Sequence, residues 1–384
     1  MRHAITALLT ATVLMMGSVV LAAGSPKVDP KGVAAPAEKE VDIAICLDTS
    51  NSMDGLIDAA KQKLWAIVNE LATAKPKPKL RVALYQYGND GLSSENGWVQ
   101  RVCDLTNDLD TVYSKLFALK THGGTEYVAR VTRAAADELK WAGKGSLKII
   151  VVAGNEPATQ DHKIPLQDAC KGAAGKGIIV NTIFCGALQE GRNTGWADAA
   201  AWADGQFAAI DQNAGTVTVS TPYDKKIAEL GTALNSTYIP YGKAGAAGSA
   251  NQAAQDKNAS SVNAPAAAQR AAAKASVVYT NSNWDLVDAK KDKQVDLAKV
   301  SPEDLPENMR KMTPQQREAY VKEQAAAREK LQKEIRELNT KRDEHVKAEM
   351  AKRGLDESKS FDGNLRKVVR EQATAAGMTF EKPE

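Results

Sequence analysis

Asp48-Thr49-Ser50-Asn51-Ser52-Met53 sets one carboxylate and two hydroxyls at alternate positions of a short segment. Side-chain oxygens so spaced suit a hard cation such as Mg2+, which takes oxygen ligands in octahedral geometry and keeps several waters. The string alone is a weak signal, because Asp, Ser and Asn populate loops everywhere. The same three side chains would serve equally well by capping the helix that follows. Their place in the chain sharpens the reading. An apolar, β-branched run at 41–47 comes directly before, and an amphipathic stretch at 56–71 comes directly after. The segment therefore falls at the carboxyl edge of a buried strand, where open α/β sheets bind ligands.

Elements that would position such a loop recur along residues 40–243. Runs at 41–47, 81–87, 147–152 and 177–184 have the length and composition of buried strands. Stretches at 56–71, 126–141 and 166–175 carry apolar residues at helical spacing. Strand and helix in alternation predict a doubly wound, mostly parallel α/β sheet with helices on both faces. Residues 98–105 are expected to add an edge strand and 206–211 a last one.

With the loop so placed, the chain resembles the von Willebrand factor A family, whose metal-ion-dependent adhesion site joins a D-x-S-x-S loop to a distant Thr and a distant Asp. Thr121-His122-Gly123-Gly124-Thr125-Glu126 is similar to the family's G-G-T turn before a helix, and the likeness spans about 40–243. The stretches LWAIVNELA, VVAGNEP and VNTIFCG look like a bacterial exported branch. The resemblance implies Asp48, Ser50, Ser52 and Thr125 as ligands of Mg2+ or another divalent cation. It departs at the fourth strand, which the family ends with Asp and Gly. Here Val152-Ala153-Gly154-Asn155-Glu156-Pro157 sets Gly154 where the Asp would fall. Glu156 is then the candidate replacement, with Asn155 as a neutral oxygen.

Other chemistries lack their parts. His122 and His162 fall on loops expected at one rim, but no H-x-x-x-H or C-x-x-C spacing supports zinc, and both read as solvated loop residues. There is no G-x-S-x-G elbow and no phosphate-binding glycine loop. Trp65, Trp141, Trp196 and Trp202 lie in or beside helices and read as core. The 384 residues carry 50 Lys and Arg against 47 Asp and Glu, intermixed, so the net charge of +3 is no footprint for nucleic acid.

Residues 1–23 combine Arg2, an apolar run and a small-residue end, which predicts a cleaved signal peptide and a periplasmic or secreted protein without stable membrane insertion. A linker at 24–39 leads into the α/β domain at 40–243. In an oxidising compartment Cys46, Cys103, Cys170 and Cys185 allow three pairings, although Cys46 and Cys185 sit in strand-like runs that suit buried free thiols. Residues 244–278 are rich in Ala, Gly and Asn and predict a linker, with its Ala-rich second half able to form a helix. A small docking segment is expected at 279–312. Thr313-Pro314-Gln315-Gln316 reads as a capping box opening a long charged helix at 313–353, with Gly354 as its stop and 354–384 as a tail. Residues 284–384 hold 22 basic and 21 acidic side chains, too many for a compact core. Tyr320, Ala327, Leu331, Ile335, Leu338 and Val346 make a thin apolar stripe that suits either a coiled-coil seam interrupted by Arg342 or a helix lying on its own domain.

The function these residues predict is that of an exported, non-enzymatic binding module. It would grip a protein partner that offers a carboxylate to a metal ion held by Asp48, Ser50, Ser52, Thr125 and Glu156. The alternative is a periplasmic scaffold acting through its C-terminal helix, with no functional metal.

Overall fold

A computed structural model describes residues 39–210, 218–354 and 361–380 of the chain. The expected signal peptide at 1–23 and nearly all of the linker expected at 24–39 lie outside these residues. In chain order, β1 (Lys39–Asp48) passes through a 3-10 turn at Asn51–Met53 into α1 (Asp54–Ala72). There follow β2 (Ala74–Lys75), β3 (Pro78–Tyr87), β4 (Val99–Thr106), α2 (Leu109–Phe117), α3 (Val128–Glu138), β5 (Leu147–Gly154) and α4 (Leu166–Gly175). Next come β6 (Ile179–Cys185), the short α5 (Leu188–Asn193) and α6 (Trp196–Ala201), β7 (Phe207–Ile210) and α7 (Asp224–Asn235). The C-terminal part is α8 (Gly245–Val262), α9 (Ala264–Lys274), α10 (Leu286–Lys291), α11 (Pro314–Lys352), α12 (Phe361–Ala375) and β8 (Thr379–Phe380).

Six strands form one sheet in the order β4-β3-β1-β5-β6-β7, parallel throughout except for the antiparallel edge strand β4. This is the doubly wound α/β architecture expected from the alternation of apolar runs. β1 lies inside the sheet and is buried along nearly its whole length, as strands covered on both faces must be. Its side chains alternate between two cores. Val41, Ile43, Ile45 and Leu47 pack with α1, α2 and α12 on one face. Ala44 and Cys46 pack with α3, α4 and α6 on the other, where Trp196 is fully buried. Trp65 is equally buried on the first face, and all four cysteines are free thiols. No described helix is long and apolar enough to cross a membrane.

The stretch expected as a linker at 244–278 is helical and packed on the α/β domain. Residues there form α8 and α9, and α9 is buried along most of its length, including Ala266, Ala268, Ala271 and Ala273. Alanine and glycine bury little area each, but they let helix axes approach closely. A Cβ placed on Gly231 of α7 would lie 2.5 Å from the Ala271 Cβ of α9, and one on Gly248 of α8 would lie 2.4 Å from the Trp284 ring. Ion pairs then lock the layer. Arg270 reaches Asp110 of α2 at 2.6 Å and Asp256 of α8 at 2.9 Å. Lys274 holds Asp256 at 2.7 Å and donates to the Gly231 carbonyl at 2.8 Å. The Arg270 guanidinium also lies 4.5 Å from the Trp65 ring centroid, which ties α9 to α1.

The coiled-coil seam is likewise replaced by an internal contact. The capping box forms as its spacing predicts, with Gln316 N–H on Thr313 Oγ1 and Thr313 N–H on Gln316 Oε1, and Gly354 follows the helix at φ +61°. The buried residues of α11 include Val321, Arg328, Ile335 and Arg342, a heptad series in which arginine alternates with an aliphatic side chain. Arg342, which had read as an interruption, donates from Nε to Asp224 of α7 at 2.8 Å. Arg328 bonds Asp285 at 2.7 Å and Asp288 at 2.9 Å, and stacks 3.8 Å from the Tyr238 ring centroid. Ile335 enters the same core as β1. The tail expected at 354–384 contributes Leu365 and Val369 of α12 to that core, and β8 pairs with β2.

Replacing Gly231 with Val is expected to force α7 from α9, to cost about 1–3 kcal/mol in urea unfolding, and to open 245–274 to limited proteolysis that the wild type resists. Arg328→Ala leaves the buried Asp285 and the half-buried Asp288 without their cation and is expected to cost about 3–5 kcal/mol. Lys333→Ala breaks only an exposed pair with Glu337, and unfolding curves should show a change below about 1 kcal/mol.

Candidate metal-binding site

The strand order reverses between β1 and β5, so the crevice at their carboxyl ends is the topological switch point of the sheet. Asp48 is the last residue of β1 and stands in register with Tyr87 at the end of β3. It is fully buried. Its Oδ1 accepts the Ser50 N–H at 2.8 Å, whereas Oδ2 has no hydrogen-bond partner among the described residues. The Ser50 and Ser52 hydroxyls lie 3.1 Å apart, and Ser52 donates to Asn155 Oδ1 at 3.2 Å. Neither the 3-10 turn nor α1 receives a side-chain cap at its first residue, so these hydroxyls face one another instead of serving the helix.

Three loops are stitched into one rim by backbone bonds. Thr49 N–H reaches the Tyr87 carbonyl at 2.8 Å, His122 N–H the Thr49 carbonyl at 2.9 Å, and Asp90 N–H the Gly123 carbonyl at 2.6 Å. Asn89 adds its side chain, donating to the Thr49 carbonyl at 3.4 Å and the Lys120 carbonyl at 3.1 Å. Gly124 is required by this closeness, since a Cβ there would meet the Gly88 carbonyl oxygen at 2.4 Å. Thr125 is half-buried between Gly124 and Glu126, both packed on Gly88. Glu126 is buried, a residue that the sequence pattern did not single out although it adjoins the matching Thr. Glu156 is exposed, with its backbone carbonyl taken by Trp196 Nε1 at 2.8 Å. His122 bonds Asp90 through Nδ1, and His162 is exposed.

Burial pushes the Asp48 carboxyl up to about 8, against hydrogen bonds from Ser50 and with the Glu126 and Glu156 charges adding to the rise. Burial also raises Glu126, with the Glu156 charge next and polar contact from Ser50 and Gln160 opposing it. A buried carboxylate oxygen without a partner, beside two hydroxyls, is a donor set that suits a hard cation. Among the described residues no three Asp, Glu, His or Cys side chains converge to hold a metal. An ion here would therefore rest largely on hydroxyl and water oxygens around Asp48, Ser50 and Ser52.

Gly154 has a physical reason that the sequence comparison lacked. A Cβ at this position would stand 2.5 Å from the Tyr87 hydroxyl and 3.1 Å from Asp48 Oδ2. Tyr87 spans the gap and donates to the Ala153 carbonyl at 3.0 Å. The phenol closes the place where the family carries its aspartate. Gly154→Asp is accordingly expected to lower the thermal midpoint without strengthening Mn2+ binding, and Tyr87→Phe in the same chain to recover part of the lost stability.

Residues 43–156 match the von Willebrand factor type A domain family. A comparison with curated protein sequences returned no match. Among solved structures, the conserved hypothetical protein BatB from Bacteroides thetaiotaomicron is 19% identical, with 45% of this chain and 94% of that chain covered and a TM-score of 0.35. A von Willebrand factor type A protein from Catenulispora acidiphila is 19% identical over 46% of this chain and 40% of that one, with a TM-score of 0.35. Proximal thread matrix protein 1 from the mussel byssus, described with a zinc-occupied adhesion motif, is 12% identical over 46% and 43%, with a TM-score of 0.36. The segment that carries Asp48, Ser50, Ser52 and Thr125 on a doubly wound sheet is thus the part of the chain that matches the von Willebrand factor type A domain family.

Proposed function

We propose that the protein is an exported, non-enzymatic binding module whose grip on a protein partner depends on a divalent cation at the carboxyl edge of β1. Domains of this type are typically protein-interaction modules. One observation carries the reading: Asp48 Oδ2 is buried at the switch point without a hydrogen-bond partner, next to the paired hydroxyls of Ser50 and Ser52. A carboxylate left so is costly in the apo chain and is compensated by a cation. Asp48 would hold the ion directly or through water, Ser50, Ser52 and Thr125 would offer hydroxyl oxygens, and Asn155 would fix Ser52. The ion supplies positive charge and an open coordination position, which suits a carboxylate from the partner. Glu156, exposed at the rim, would bias which partner charges approach.

The scaffold reading loses support from α11. Its buried stripe is occupied by Asp224, Asp285 and Asp288 of the same chain and is no free seam.

Adding Mg2+ or Mn2+ to the chelated full-length chain is expected to raise its thermal midpoint, since a ligand at ten times its Kd stabilises by about 1.4 kcal/mol. Asp48→Asn should keep the fold and lose that rise. If the wild-type midpoint is the same in chelator and in 10-fold millimolar excess of either ion, the ion-dependent reading fails.

A further inference from the structure

We infer that Glu126 supplies the second carboxylate of this site, in place of the aspartate that β5 lacks. The inference rests on the ion-dependent reading above and assigns a residue to it. Glu126 is only 8% exposed, whereas Glu156 is an exposed rim residue. Gly88 shows how close the two buried carboxylates come. A Cβ built on it would lie 2.7 Å from Asp48 Oδ1 and 2.7 Å from Glu126 Cγ, so the two side chains flank one glycine. Gly88 has φ +73°, a left-handed conformation that glycine adopts freely, and it leaves room for both neighbours.

Neither carboxylate has a cationic side chain in ion-pair contact among the described residues; the nearby Arg130 is committed to Asp161 at 2.9 Å. Buried charges are ordinarily paired or bound to metals. Two of them flank Gly88, Asp48 through Oδ1 and Glu126 through Cγ, and Asp48 keeps a second buried oxygen, Oδ2, that bonds nothing. The route to this arrangement is steric. Tyr87 crowds the space beside Gly154, which disfavours a carboxylate at that position of β5, and Glu126 from the turn before α3 lies across Gly88 from Asp48 Oδ1.

Titrating the chelated full-length chain with Mn2+ alone, by calorimetry, tests the assignment. Glu126→Gln is expected to weaken binding tenfold or more, and Glu156→Gln by less than threefold. Should Glu126→Gln fail to fold, Glu126→Asp keeps the charge but withdraws the oxygens by one methylene, and its affinity should fall at least threefold. Wild-type binding that persists undiminished in a folded Glu126 variant, or that falls as much in Glu156→Gln, overturns the assignment while sparing the ion-dependent reading. No Mn2+ binding by the wild type at millimolar concentration overturns both.

Discussion

A carboxylate at the end of the central strand, sealed from water on one side by Tyr87 and Gly154, is the constraint around which this domain is arranged. Burial works against the charged form of Asp48, and the protein gives Oδ1 one backbone N–H and leaves Oδ2 bare. Such a group is a stability cost unless something outside the chain completes it. The surrounding loops are fixed around it: Thr49, Asn89, Asp90 and His122 fasten three separate segments by backbone and amide bonds. Because that frame is rigid by hydrogen bonding, the Ser50 and Ser52 hydroxyls are held near Asp48 without being consumed as helix caps.

The second organising feature is the helical layer on the α1 face. Its innermost helix, α9, carries no large aliphatic side chain, and the layer is held by two devices. One is close approach through Gly231, Gly248 and the alanines of α9. The other is a set of buried arginines and a lysine, each matched to aspartates on a neighbouring helix. Ion pairs in such places add little net stability over apolar side chains, but removing one partner is expensive, so they enforce a single docking arrangement. The layer covers α1 directly after the Asp48 loop, and it thereby steadies the helix that the loop leads into.

Much of the α/β domain was legible in the sequence, since apolar runs of strand length alternate with amphipathic stretches and a parallel sheet follows from that alternation. The D-x-S-x-S string, the G-G-T turn and the capping box before α11 were equally readable, each being a local pattern with a local cause. The C-terminal layer was not. Periodicity of large apolar residues marks a helix face, whereas an alanine face becomes a core only when a glycine stands opposite, as Gly231 stands opposite Ala271. Arg342 read as disruptive for a related reason: its partner Asp224 lies far away in sequence, as Asp285 lies far from Arg328.

The sequence by itself determined that residues 43–156 match the von Willebrand factor type A domain family and that Asp48, Ser50 and Ser52 share one short segment after a buried strand. Tertiary structure alone decided what stands beside them. Gly154 looked like a lost ligand until Tyr87, paired to Asp48 across two strands, proved to fill the space an aspartate would need. Glu126, which local spacing does not single out, lies with Asp48 on either flank of Gly88. Both facts depend on where side chains from distant strands meet, and steric exclusion between such neighbours leaves no mark on local spacing.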